Sequence, residues 1–268
     1  MMKELLWKNI TQLKKETPLI QNITNYVVMN NTANALLAAG ASPIMAHAHS
    51  EMEDMMNICQ ALVINIGTLD EYWVTAMKKA AKQANKLQKP WVLDPVGAGA
   101  TPYRDEILAD LLRLNPTIIR GNASEIMALA KHNTTITKGV DSSADSNEAI
   151  TAANFLAKNF QTTVCISGIT DIILNEEKEV HLSNGNKMMA KITGMGCSAT
   201  ALVAAFSAII KDTAEATVSA MALLGVAGEL AAKESKGPGS LQLNIIDKLY
   251  NLSEEEFIST LKIEIKRG

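Results

Sequence analysis

Cysteine is scarce in this chain, with three among 268 residues. So few, and an odd number, cannot build a disulfide framework and fit a reducing compartment better than a secreted one. Neither sign of charge dominates. Lys and Arg total 25 against 28 Asp and Glu, a formal charge of −3, without the basic excess of a dedicated nucleic-acid binder. No uninterrupted apolar run approaches the ~20 residues of a spanning helix. The nearest stretches, 199–210 and 218–232, are rich in Ala, Ser and Gly and suit close packing. Gly-Lys-Ser/Thr is missing, which excludes a Walker A phosphate loop, and Gly-x-Ser-x-Gly is missing, which counts against a common hydrolase type. Repeats, low-complexity tracts and interdomain linkers are lacking too, so residues 1–268 are expected to form a single domain.

What is present is a globular composition: 47% apolar and 20% charged residues, which argues against disorder. Residues 1–17 are amphipathic and charged, without the apolar core and cleavage site of a secretory leader, so a soluble cytoplasmic protein is expected. Nearly continuous apolar runs at 61–67, 91–96, 117–120 and 163–167 read as strands covered on both faces. Helical patterns at 69–87, 104–114, 124–132 and 146–159 separate them, the alternation of a doubly wound, mostly parallel α/β sheet with helices on both faces. Residues 171–175 and 179–182 suggest an antiparallel edge. The chain is expected to close with helices at 240–250 and 253–265, the second opened by a capping box of Ser253 and Glu256.

The strongest chemical signal is Gly194-Met195-Gly196-Cys197 ahead of a long Ala-rich helix. Glycines let a backbone turn tightly against a ligand, and the free amide hydrogens of a helix start attract an anion. Cys197 falls in that first turn, where the positive helix end is expected to lower a thiol's pKa. Cys59 and Cys165 lie among apolar neighbours and read as inert packing. Asp94 ends an apolar run and leads into Pro95-Val96-Gly97, the position where open α/β sheets bind ligands. Arg120-Gly121-Asn122-Ala123-Ser124-Glu125 repeats that geometry, although Glu125 also fits a helix cap on Asn122. Together Asp94 and Glu125 suit Mg²⁺, which takes one or two carboxylates besides water and phosphate oxygens. Arg120 could fork onto a phosphate. His47-x-His49 has no third ligand at a recognisable spacing and is a poor zinc candidate.

Taken together these motifs resemble the hydroxyethylthiazole kinase family. The resemblance rests on Gln21-Asn22-Ile23-Thr24-Asn25-Tyr26-Val27, Gly40-Ala41-Ser42-Pro43-Ile44-Met45-Ala46-His47-Ala48, Asn65-Ile66-Gly67-Thr68-Leu69, Leu93 through Thr101, Arg120 through Ile126, and Gly139-Val140-Asp141-Ser142. It implies a three-layer ribokinase-like fold and ATP-dependent phosphorylation of the primary hydroxyl of 4-methyl-5-(2-hydroxyethyl)thiazole, with Mg²⁺. Met45, Gly194 and Asn25 would then contact the thiazole alcohol, Arg120 and Ser167 the nucleotide, and Asp94 and Glu125 the metal. Gly194, Met195, Gly196 and Cys197 would form the anion hole. Cys197 stands where ribokinase relatives usually carry an Asp base and would orient the hydroxyl and accept its proton late. A homotrimer with sites between neighbouring subunits is also implied. Two positions depart from the family pattern: Ser167 replaces a frequent Thr, and Ile169 a common Glu. The rival readings are a nucleotide-dependent dehydratase, a pyrimidine-alcohol kinase and a non-catalytic nucleotide binder on the same fold.

Overall fold

A computed structural model describes residues 2–134 and 146–268; the motif at 139–142 lies outside the described residues. One sheet orders the described strands β2-β1-β3-β4-β5-β6-β7-β8-β9. These are β1 (Leu19–Ile23), β2 (Ser42–Ile44), β3 (Ala61–Asn65), β4 (Trp91–Asp94), β5 (Ile118–Asn122), β6 (Thr163–Ser167), β7 (Asp171–Leu174), β8 (Glu179–Leu182) and β9 (Ile263–Arg267). Pairing is parallel from β2 through β6 and antiparallel beyond.

Helices cover both faces, as apolar parallel strands require. On one face lie α3 (Met52–Ile58), α4 (Glu71–Lys86), α5 (Pro102–Leu112), α6 (Ala123–Thr134) and α7 (Ser146–Phe160). The other face carries α1 (Met2–Glu16), α2 (Met29–Ala39), α8 (Met195–Ser207), α9 (Thr213–Lys233), α10 (Pro238–Asn251) and α11 (Glu254–Thr260). Each strand divides its side chains between two cores by simple alternation. Val63, Val92, Ile118 and Cys165 enter the core with α8 and α9. Leu62, Ile64, Trp91, Leu93, Ile119 and Val164 enter the other. Helix α9 is long and apolar enough to cross a bilayer by composition, but 83% of its apolar window is buried inside the molecule. Its Ala and Gly residues let it pack closely on α8 and the sheet.

The end of the chain departs from expectation. The capping box forms: Ser253 Oγ accepts from Glu256 N, and Glu256 Oε2 from Ser253 N. Yet α11 stops at Thr260, and residues 263–267 become an edge strand against β8. The alternation in Ile263-Glu264-Ile265-Lys266-Arg267 has period two, and a helix reading overlooked it. Strands β1 and β2 also fall outside the β-branched runs, because β1 carries Gln21 and Asn22 and β2 has only three residues.

Candidate active site

Alternation also builds the site. On the α8 face of the central strands a polar residue follows an apolar one: Asn65 after Val63, Asp94 after Val92, Arg120 after Ile118, and Ser167 after Cys165. Asn65 pairs with Asp94 across β3 and β4 and Arg120 continues that row on β5, whereas Ser167 lies further out on β6, opposite Asn122. Helix α8 starts against this row. Gly194 precedes it with φ +78°, a left-handed conformation, and a Cβ there would meet Val28 Cγ1 at 2.5 Å. Only glycine satisfies both conditions. Gly196 serves a different purpose: its missing Cβ would stand 2.7 Å from Arg120 Nη1. The guanidinium therefore packs against the first turn of α8 at Gly196. Arg120 is 9% exposed, and its buried Nε has no hydrogen-bond partner among the described residues.

A connected network occupies the centre. Asn65 Nδ2 donates to Asp94 Oδ2 at 2.7 Å and to Cys197 Sγ at 3.2 Å. Its Oδ1 accepts from Asn25 Nδ2 and from Gly67 N, both at 2.9 Å. Two donors on that oxygen fix the amide's orientation, since a flipped Asn65 would aim hydrogens at hydrogens. Asn25 Nδ2 also approaches Cys197 Sγ at 3.5 Å, and Thr200 Oγ1 donates to Asp94 Oδ2 at 2.8 Å. Burial pushes the Asp94 carboxyl up to about 6, with Arg120 and the Thr200 hydroxyl opposing and the Glu125 charge adding to the rise. Cys197 behaves against expectation. Burial, followed by the charge of Asp94, pushes the thiol up to about 11 despite the Asn65 and Asn25 donors and Arg120. The helix start does not create a thiolate here, because the same turn is buried beside a carboxylate.

Glu125 is placed by its cap. Its Oε2 accepts from Asn122 N at 2.8 Å, while Asn122 Oδ1 accepts from Glu125 N at 3.0 Å. Its Oε1 takes Gly97 N at 3.0 Å and so ties the turn after β4 to the start of α6. Glu125 is thus a cap, and its charge reaches Asp94.

The sequence profile of the hydroxyethylthiazole kinase family matches residues 10–255. The hydroxyethylthiazole kinase of Vibrio parahaemolyticus is 51% identical over 99% of this chain and 100% of its own length. That of Syntrophus aciditrophicus is 51% identical over 97% of each. This chain belongs to the hydroxyethylthiazole kinase family. A solved family structure from Pyrococcus horikoshii superposes with a TM-score of 0.91 at 39% identity, covering 98% of this chain and 99% of that one. Pyridoxal kinase from Staphylococcus aureus, at 17% identity and a TM-score of 0.65, shares the fold.

Against the family pattern, the structure gathers Asn25, Asp94, Arg120 and the Gly194–Cys197 turn into one cluster, with Glu125 joined through Gly97. Met45 and Ser167 make their hydrogen bonds outside it. Met45 leaves the edge strand β2, its carbonyl facing His47 Nδ1 at 3.2 Å. Ser167 ends β6 and donates to Gly121 O at 3.3 Å. Met195 packs partly into the α8-side core. His47 instead packs on Trp73, with ring centroids 4.8 Å apart. Sequence reading missed Asn65 as a site residue. Its signal was available: a polar residue closing an apolar strand one ladder step from Asp94.

Proposed function

We propose that this chain transfers the terminal phosphoryl group of ATP to the primary hydroxyl of 4-methyl-5-(2-hydroxyethyl)thiazole, in thiamine biosynthesis or salvage. The observation that carries this reading is the Arg120 guanidinium, buried against Gly196 at the start of α8 with no partner on Nε among the described residues. Asp94 and Asp171 lie within the field of this guanidinium, but a buried donor left unpaired is costly, and a transferring phosphoryl group beside amide hydrogens would supply an acceptor.

The order of residues along the sheet supports the same assignment. Met45 and Asn25 lie toward the β2 edge, Asp94 and Cys197 at the centre, and Arg120 and Ser167 toward β6. Six neighbouring strands at about 4.8 Å spacing span about 24 Å, enough for an acceptor alcohol and a nucleotide laid end to end. Met45, Asn25 and Gly194 would then seat the alcohol, and Arg120 and Ser167 the nucleotide. Asp94 and Glu125 would hold Mg²⁺: Oδ1 of Asp94 stays clear of the Asn65 and Thr200 bonds, and the two carboxylates lie within each other's field. When bound, the ion would neutralise phosphate charge.

Phosphoryl transfer asks for alignment and charge compensation more than for early removal of the alcohol proton. Arg120 and the amides of Gly196 and Cys197 would compensate charge on the transferring oxygens. Cys197, a neutral thiol near pH 7, would orient the hydroxyl, and its two amide donors would steady the sulfur as charge develops. A single-domain cytoplasmic homotrimer completes the reading. Tyr26 and Val27, 60% and 62% exposed beside Asn25, offer an apolar rim that a neighbouring copy would cover.

Incubation with ATP, Mg²⁺ and a panel of thiazole and pyrimidine alcohols tests the assignment, with products identified by mass. The thiazole phosphate is expected. Transfer to a pyrimidine alcohol alone contradicts it.

A further inference from the structure

Arg104 lies in the first turn of α5, yet its side chain reaches back to two other segments. Nη1 donates to the carbonyls of Ile66 at 2.6 Å and Val96 at 2.9 Å, and Nη2 to that of Gly67 at 2.9 Å. These carbonyls stand where the β3–β4 ladder ends. Its last pair is Asn65 with Asp94, followed only by Ile66 N donating to Asp94 O at 3.3 Å. Past that point the sheet no longer fixes the distance between the two chains. A guanidinium is planar and rigid, so three bonds from one fork hold both strand exits at a single spacing. The fork is itself anchored: Arg104 N donates to the cap Thr101 Oγ1 at 3.3 Å, and Pro102 starts the helix.

The reactive groups hang from those two exits. On the β3 side Gly67 N donates to Asn65 Oδ1, and Gly67 sits so close to Asn25 that a Cβ would meet its Nδ2 at 2.7 Å. A shift of residues 66–67 therefore moves both amides that face Cys197. On the β4 side Gly97 N is bonded to Glu125, so a shift of 96–97 moves the two carboxylates relative to each other.

We propose that Arg104 is a positioning residue for phosphoryl transfer, fixing the gap between the acceptor-side exit of β3 and the phosphate-side exit of β4. The proposal rests on the kinase reading above. Transfer by the wild-type chain is measured first, so failure of that reading shows there and failure of the clamp shows only in the variants. Arg104→Met is expected to leave both KM values within about threefold while kcat falls about 100-fold, the penalty of a misplacement near 1 Å. Arg104→Lys keeps the charge but cannot reach all three carbonyls, and about a tenfold fall in kcat is expected. In Arg104→Ala, guanidinium ion is expected to restore kcat by about fivefold or more over equal sodium chloride, because it can refill the planar fork. A folded Arg104→Met with wild-type kcat overturns the proposal. So does an effect confined to the KM for ATP, or guanidinium that does no better than sodium. If Arg104→Met does not fold, Arg104→Lys decides between a lowered kcat and a wild-type one that overturns the clamp.

Discussion

Burial and the charge of Asp94 outweigh the amide donors around the Cys197 sulfur, and the thiol rises from 9.0 to about 11. A raised pKa means that the thiolate, the alkylating form, is nearly absent at neutral pH and grows only as pH climbs toward that value. Iodoacetamide labelling, compared between wild type and Cys197→Ser, is therefore expected to run more than about tenfold slower at neutral pH than for an ordinary thiol. Fast neutral labelling contradicts the burial argument. A neutral thiol also contributes little as a base, so Cys197→Asp is expected to keep kcat within about tenfold, below the usual weight of a general base. A variant that folds and binds both substrates yet is inert contradicts it. Asp94 and Arg120 were legible in the sequence because each follows an apolar run and shortly precedes a glycine. Asn65 was not, since an Asn at a strand end also reads as a turn former; its role emerges only from the four partners that surround it.

Among the elements, the start of α8 holds two glycines with different duties. Gly194 combines a left-handed φ of +78° with Val28 at 2.5 Å from the site of a Cβ. Gly194→Ala is therefore expected to cost about 1–3 kcal/mol of stability. At Gly196 the obstacle is the far end of the Arg120 side chain, which can move. Gly196→Ala is expected to melt near wild type but to lose affinity for ATP, as measured by calorimetry. Equal destabilisation of the two variants, with ATP binding intact in the second, contradicts the division. The glycine turn was legible as an anion-binding corner, but which glycine makes room for which side chain depends on Val28 and Arg120, distant in sequence. Strand β9 shows the same limit at larger separation. Its alternating pattern is short, and only the exposed edge of β8, some eighty residues earlier, turns it into a strand.

Across the whole molecule, the parallel core was legible because strands β3 to β6 bury both faces and read as continuous apolar runs. That topology alone sets Asn65, Asp94 and Arg120 side by side, at residue separations of 29 and 26 along the chain, with Ser167 further out on β6. On the proposed reading the functional order would follow from strand order, with alcohol contacts toward β2, nucleotide contacts toward β6 and the α8 start between them. The central claim is that the buried Nε of Arg120, unpaired among the described residues, is held for a phosphoryl group that would fill that place. The most direct test is kcat/KM for ATP in Arg120→Gln, a change that keeps bulk and removes the cation. A fall of about 100-fold or more is predicted, as for loss of one donor to a charge that develops in the transition state. A folded variant with wild-type kcat/KM contradicts the account.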